Sequence, residues 1–270
     1  MTASASFSRR AAEGAAFVGF WMMLGASLRL DANQYLLIGV PLTTLFQLFV
    51  RRRPLRALWV RDAPSFALDR STWRWIIFLA IVPARLAAGA FIAGNHAVAL
   101  WGACALCGAA AAAYAIREFH RETVRALLLC AAIAGTIGIA IMAGASFLRP
   151  SGMPTSLMNR LQIFITSLLE YFPGLFLLEE VAFRGALDAH LHHTGESRPW
   201  ASAFLASALW GLWHLPIVPG GHLAFTLVSL VAVHCAIGVP LSFFWRRSGN
   251  LAVPAFSHAL IDAVRNALAS

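Results

Sequence analysis

The sequence predicts an all-α fold, a polytopic transmembrane bundle of about eight or nine spans. Three observations carry this. Of 270 residues, 59% are hydrophobic and only 12% are charged, whereas a soluble domain has about 45–50% apolar and about 25% charged residues. Mean hydropathy is +0.70. The apolar residues also gather into long runs that lack the strict alternation of a barrel strand. In lipid, backbone polar groups are then satisfied only within helices.

The runs fall near 11–28, 35–50, 75–94, 97–116, 124–147, 161–191, 199–216, 222–244 and 251–267, nine in all. Most approach the roughly 20 residues that a span needs. The first follows Arg9 and Arg10 as a signal peptide would, but it is long and has no convincing small-residue cleavage site, so it reads as a retained span. Small residues crowd the fourth and fifth runs, as in Gly108 to Ala113 and at Gly135, Gly138 and Gly144, which lets helices pack closely. Cys104 and Cys107 form a CxxC with no second pair and no nearby His. Together with Cys130 and Cys235 they read as small packing residues. The pattern shows no internal repeat or low-complexity tract. The chain therefore reads as a single membrane domain, 1–270, with N-terminal helices over 1–150 and a C-terminal set over 160–267.

All 21 basic residues are arginine, and the net charge is +9. Such a charge could suggest nucleic acid, but the arginines lie between apolar runs, which excludes that reading in favour of membrane orientation. Arg9 and Arg10 precede the first run; Arg51, Arg52, Arg53, Arg56 and Arg61 follow the second. Arg117 and Arg121 follow the fourth, Arg198 precedes the seventh, and Arg246 and Arg247 follow the eighth. The intervening loops carry little charge. The N-terminus is then expected in the cytoplasm, in a multi-pass cell-membrane protein. The arginine-only usage hints at a GC-rich, bacterial source.

Ionisable residues inside spans are costly and mark candidate functional positions. Three segments concentrate them. In Glu179-Glu180-Val181-Ala182-Phe183-Arg184-Gly185, adjacent helical residues point about 100° apart. Glu180 can pair with Arg184 one turn on, which leaves Glu179 free to face a cavity. A carboxylate in a dry site suits a general base acting on water. In Trp210-Gly211-Leu212-Trp213-His214, Trp210 and His214 share a face. In His258-Ala259-Leu260-Ile261-Asp262, Asp262 could orient the imidazole, bind a metal or help hold an oxyanion. The bland readings are solvated charges at a helix end, a satisfied core histidine and a buried packing pair. Depth argues for joining the segments: Glu179 and His214 each lie roughly 25 Å along their helices from a turn near Glu196, at ~1.5 Å per residue.

These segments resemble the CAAX-protease and bacteriocin-processing (CPBP) family, whose eukaryotic branch is the Ras-converting CAAX endopeptidase. The family pattern EExxxR, FxxxH and HxxxN or HxxxD is met in order by Glu179 to Arg184 with Gly185, by Trp210 to His214, and by His258 to Asp262. The resemblance spans roughly residues 160 to 267. It implies a glutamic-type intramembrane endopeptidase. Glu179 would activate water, His214 would position or polarise it, and His258 with Asp262 would stabilise the oxyanion. Glu180, Arg184 and Trp210 would support them. The substrate implied is a membrane-associated peptide or protein tail, in contact with membrane lipid. Trp210 departs from the usual Phe, and Asp262 from the commoner Asn; an ionised Asp cannot donate to an oxyanion. The HExxH zincin signature is missing, which favours a mechanism without a cofactor. Were a divalent metal such as Zn²⁺ used, Glu179, His214, His258 and Asp262 would be its ligands. Two other functions fit an apolar bundle with buried charges: a proton-coupled transporter, which usually shows a repeat between halves, and a non-catalytic scaffold.

Outside the motifs, Asp188, His190, His192 and His193 are expected in a solvated loop. His234 is expected to serve packing or a backbone hydrogen bond more than the site. Arg85, in mid-span, needs a partner such as Glu170.

Overall fold

The computed structural model describes residues 6–62, 69–147, 156–193, 196, 199–218 and 222–270. Helices α1 (Phe7–Ser27), α2 (Ala32–Leu37), α3 (Gly39–Leu45), α4 (Arg70–Ile92), α5 (His96–Arg117), α6 (Arg121–Cys130) and α7 (Thr136–Phe147) come first. They are followed by α8 (Leu157–Leu175), α9 (Ala189–Leu191), α10 (Pro199–Trp213), α11 (Leu223–Ser248) and α12 (Ala252–Ala269). Among the described residues the one pairing of extended chain is an antiparallel bridge between Val60 and Asn250. Each predicted apolar run is a helix or a chain of helices. Helices α2 and α3 continue into a π-helical turn, Phe46–Val50; α6 and α7 are joined by another, Ala131–Gly135; α8 runs through a long one, Phe176–Asp188, into α9.

Six of these stretches are long and apolar enough to cross a membrane: Ala32–Val50, Arg70–Ile92, His96–Arg117, Arg121–Ala145, Leu157–Leu191 and Leu223–Ser248. The chain is a multi-pass membrane protein. Helices α1, α10 and α12 fall outside that set for legible reasons. Helix α1 carries Arg9, Arg10 and Glu13 near its start, α10 has only 15 residues, and α12 holds Asp262 and Arg265. Helix α12 does not need an apolar exterior. It packs against α6, α7, α8 and α11, and Ala252 to Ala255, Ser257 to Ala259 and Ile261 to Ala263 are buried. The outward faces of other helices are apolar instead, as at Ile77, Phe78 and Ile81 on α4 and Phe225 and Val228 on α11. So much exposed apolar surface suits lipid, not water.

An aromatic cluster locks the α1–α2 hairpin onto the later helices. Trp21 Nε1 donates to the Tyr35 carbonyl at 2.8 Å, and the Tyr35 hydroxyl donates to the Trp213 carbonyl at 2.8 Å. The Trp21 and Trp213 rings meet edge-on at 4.9 Å, and Phe183 meets Trp213 at 5.2 Å. Trp213 is thereby held immediately before His214. Glycines allow the close approaches. A Cβ on Gly211 would lie 2.6 Å from the Leu230 carbonyl oxygen, so α10 and α11 touch backbone to backbone. Gly249 ends α11 in the left-handed conformation, with φ +63°, where an L side chain is strained.

The arginine-rich loops gather at one end of the bundle. Arg61 donates to the Arg246 carbonyl at 2.9 Å, and its backbone N–H donates to the Gly249 carbonyl at 2.7 Å. Arg117 lies 3.4 Å from Asp69. Arg51 Nη1 donates to the Gly185 carbonyl at 2.7 Å. Arg198 lies outside the described residues.

The segment after Glu180–Arg184 corrects an expectation. Asp188 is not in a solvated loop: it is fully buried and accepts from Arg246 twice, from Nε at 2.9 Å and from Nη2 at 2.6 Å. His190 lies 2.9 Å from Glu13, and His192 lies 2.9 Å from Glu196. Burial would raise the Glu196 carboxyl pKa, but the Ser202 hydroxyl and His192 outweigh it and hold it below the usual carboxylate value. The reason is geometric. The π-helical stretch carries the helix inward past Leu187, so its last polar residues face the ends of α1, α10 and α11, not water. Replacing Arg246 with Ala would strand the Asp188 carboxylate. Losing one partner of a buried pair costs about 3–5 kcal/mol, and chemical or thermal unfolding of Arg246→Ala in detergent is expected to show a loss of that size.

Candidate active site

Pro173 lies inside α8, where it lacks the N–H of the helical ladder. The wider π-helical turn begins three residues later, at Phe176. Such turns often occur at functional positions in helices. Here the turn aims two adjacent carboxylates at different partners. Glu179 faces α10: Trp210 Nε1 donates to Glu179 Oε2 at 3.0 Å. Glu180 faces α12: His258 Nδ1 donates to Glu180 Oε1 at 2.8 Å. Glu180 is fully buried, and Arg184 Nη1 lies 3.3 Å from the same oxygen. The guanidinium of Arg184 also sits over the Trp210 ring at 4.1 Å, the geometry of a cation–π contact. Trp210, on the face of α10 that also carries His214, thus touches the first motif through both Glu179 and Arg184.

The same indole organises three histidines. Its ring centroid lies 5.8 Å from His214, 4.6 Å from His234 and 5.1 Å from His258. His214 Nδ1 lies 2.9 Å from the Trp210 carbonyl, and His234 Nδ1 lies 2.7 Å from the Leu230 carbonyl. A carbonyl only accepts, so in both rings Nδ1 carries the proton. That leaves Nε2 of each neutral ring as an acceptor.

Glu179, His214, His234, His258 and Asp262 line one cavity of about 510 Å³. The structure therefore brings the three motif segments to one site. Glu179 is 7% exposed, His258 7% and Asp262 9%, so these polar groups face the cavity, among apolar side chains such as Leu175, Val233 and Ile261, and not open solvent. Asp262 differs from one of its expected uses. His258 is held by Glu180, while Asp262 pairs with Arg265 Nη1 at 3.0 Å. Among the described residues no group of three or more His, Cys, Asp and Glu side chains is placed to hold a metal ion. Glu179, His258 and Asp262 turn instead to Trp210, Glu180 and Arg265. Placed so, these side chains do not converge as three or more ligands on one ion.

His234 is the site residue that sequence reasoning undervalued. It makes the backbone hydrogen bond expected of it, yet its ring also lies 4.2 Å from His214, tilted by 38°, and lines the cavity. Its one sequence signal is its position within an apolar span. No motif spacing joins it to His214. Glu170 lines the cavity as well, and it shares a shallow lateral groove with Arg85. Cys104, Cys107, Cys130 and Cys235 are free thiols.

Residues 157–264 match the model of one protein family, described as type II CAAX prenyl endopeptidase Rce1-like. No curated protein and no solved structure matches the chain.

Proposed function

We propose that this protein is an intramembrane glutamic endopeptidase with Glu179 as its general base, a reading supported by the match of residues 157–264 to the model of the Rce1-like type II CAAX prenyl endopeptidases. The observation that carries the proposal is the division of labour between two adjacent glutamates. Glu180 is consumed by Arg184 and His258, while Glu179 accepts one hydrogen bond from Trp210 and faces the cavity.

In this reading a water held between Glu179 and Nε2 of His214 loses a proton to Glu179 as its oxygen attacks the substrate carbonyl carbon. The carbonyl π bond breaks to an oxyanion. His258, with Nδ1 committed to Glu180, offers Nε2–H to that oxyanion when its ring is protonated. The negative Glu180 favours that protonation, as a buried carboxylate does beside a catalytic imidazole. Collapse of the intermediate re-forms the carbonyl and breaks the C–N bond, and Glu179 returns its proton to the leaving amine. Asp262, paired with Arg265, borders the site and is not required to donate. Water, one carboxylate and two imidazoles suffice. The substrate is a membrane-associated peptide or a membrane-anchored protein tail.

The transporter reading usually brings a repeat between the two halves of the chain, and the sequence shows none. The test is hydrolysis by the purified protein, reconstituted in proteoliposomes, of a library of single-span peptides, with products read by mass spectrometry. His214→Ala is expected to lower turnover by about 10²–10⁴-fold, the usual contribution of a group handling protons in the transition state, with its melting temperature unchanged. Equal turnover by wild type and His214→Ala would sink the assignment.

A further inference from the structure

The catalytic cavity and the arginine-rich loops lie at opposite ends of the bundle. The cavity is lined at its mouth by Ala32 in the first turn of α2, Val98 in the first turn of α5, Ile217 beyond the end of α10 and Arg265 in the last turns of α12. Ala32 is exposed, and the Arg265 side chain is 45% exposed. From Val98 to Arg117, helix α5 rises roughly 28 Å, and from Asn250 to Arg265 the rise is roughly 22 Å, at about 1.5 Å per residue. The mouth is thus a membrane thickness away from the loops that hold Arg51, Arg61, Arg117 and Arg246. Among the described residues the arginines on the mouth side of the bundle are Arg29, Arg85, Arg160 and Arg265.

The arginine-rich end is closed below the site. Below Glu179 the chain is packed by Phe183, Leu187, Leu241 and Trp245, none more than 1% exposed, and the Asp188–Arg246 pair lies beneath them. The open direction is sideways and outward. Leu86 and Glu170 line both the catalytic cavity and the lateral groove along the last turns of α4, which runs to Asn95.

Because arginine-rich loops stay in the cytoplasm, we propose that this site takes its substrate from the extracytoplasmic side. That substrate is the outer end of a membrane-anchored polypeptide, reaching the cavity through the groove between α4 and α8. A carboxyl-terminal tail presented from the cytoplasm would meet the closed end. The inference rests on the peptidase reading for its chemistry, but its geometry stands apart from it.

The test uses the full-length chain with its four cysteines changed to Ala. Ala32→Cys is introduced at the mouth and, separately, Arg53→Cys at the arginine-rich end. Spheroplasts are treated with a membrane-impermeant maleimide before and after lysis. Ala32→Cys is expected to label in intact spheroplasts and Arg53→Cys only after lysis. The reverse pattern, or a mouth cysteine that labels only after lysis, overturns the proposal. Should the cysteine-free chain fail to fold, alkaline phosphatase fused after Ser270 of the natural sequence replaces it: an active fusion agrees, an inactive one refutes. The two readings fail separately. Expected labelling with undiminished cleavage by Glu179→Gln removes the peptidase and keeps the access route. Reversed labelling with a dead Glu179→Gln removes the route alone.

Discussion

Glu179→Gln is expected to abolish peptide hydrolysis while leaving the fold intact. The substitution keeps the size of the side chain, and the amide oxygen still accepts from Trp210 Nε1, which lies 3.0 Å from Glu179 Oε2. What is lost is the ability to take a proton from water. General-base catalysis contributes typically 10²–10⁴-fold, so the initial rate on a cleaved reporter should fall by about that factor, with the melting temperature in detergent unmoved. The comparison that gives this force is Glu180→Gln. In the proposed mechanism Glu180 is a positioning residue. Its loss should also slow hydrolysis, but with a changed pH profile, because the amide no longer favours the protonated form of His258. Wild-type rates from Glu179→Gln would remove the base and the mechanism with it.

How much of this was legible in the sequence differs from element to element. The apolar runs predicted helices because lipid offers the backbone no other partners, and each run is helical. The Glu180–Arg184 pair was legible because residues four apart meet on a helix, and a π-helical turn still leaves them 3.3 Å apart. Three things were not legible. The holder of His258 was sought four residues on, at Asp262, when it is Glu180, which is 78 residues away. Local spacing ranks neighbours on one helix and is silent about the facing helix. Likewise, His190 and Asp188 read as loop residues because polar residues cluster there, yet tertiary packing turned them inward against Glu13 and Arg246. His234 fell to the same limit: its partnership with His214 depends on the close α10–α11 contact at Gly211, which no periodicity encodes.

Arg184→Leu is expected to be the most destabilising single change in the site. Arg184 is 2% exposed and Glu180 is fully buried, so the leucine leaves a carboxylate with His258 as its remaining partner. One of its oxygens, Oε2, already lacks a hydrogen bond. Breaking a buried pair in this way costs about 3–5 kcal/mol, and the contact of the guanidinium with the Trp210 ring is lost as well. Unfolding in detergent should register that loss. Glu180→Leu combined with Arg184→Leu separates the charge from the packing. Two apolar residues of similar volume often replace a buried ion pair at no net cost, so the double variant should regain much of the stability lost in Arg184→Leu. It should not regain activity, because His258 then has no carboxylate to fix its Nδ1 or to favour its charged form. Recovery of both together would mean that Glu180 serves folding alone. Recovery of stability without turnover would tie the pair to the orientation of His258.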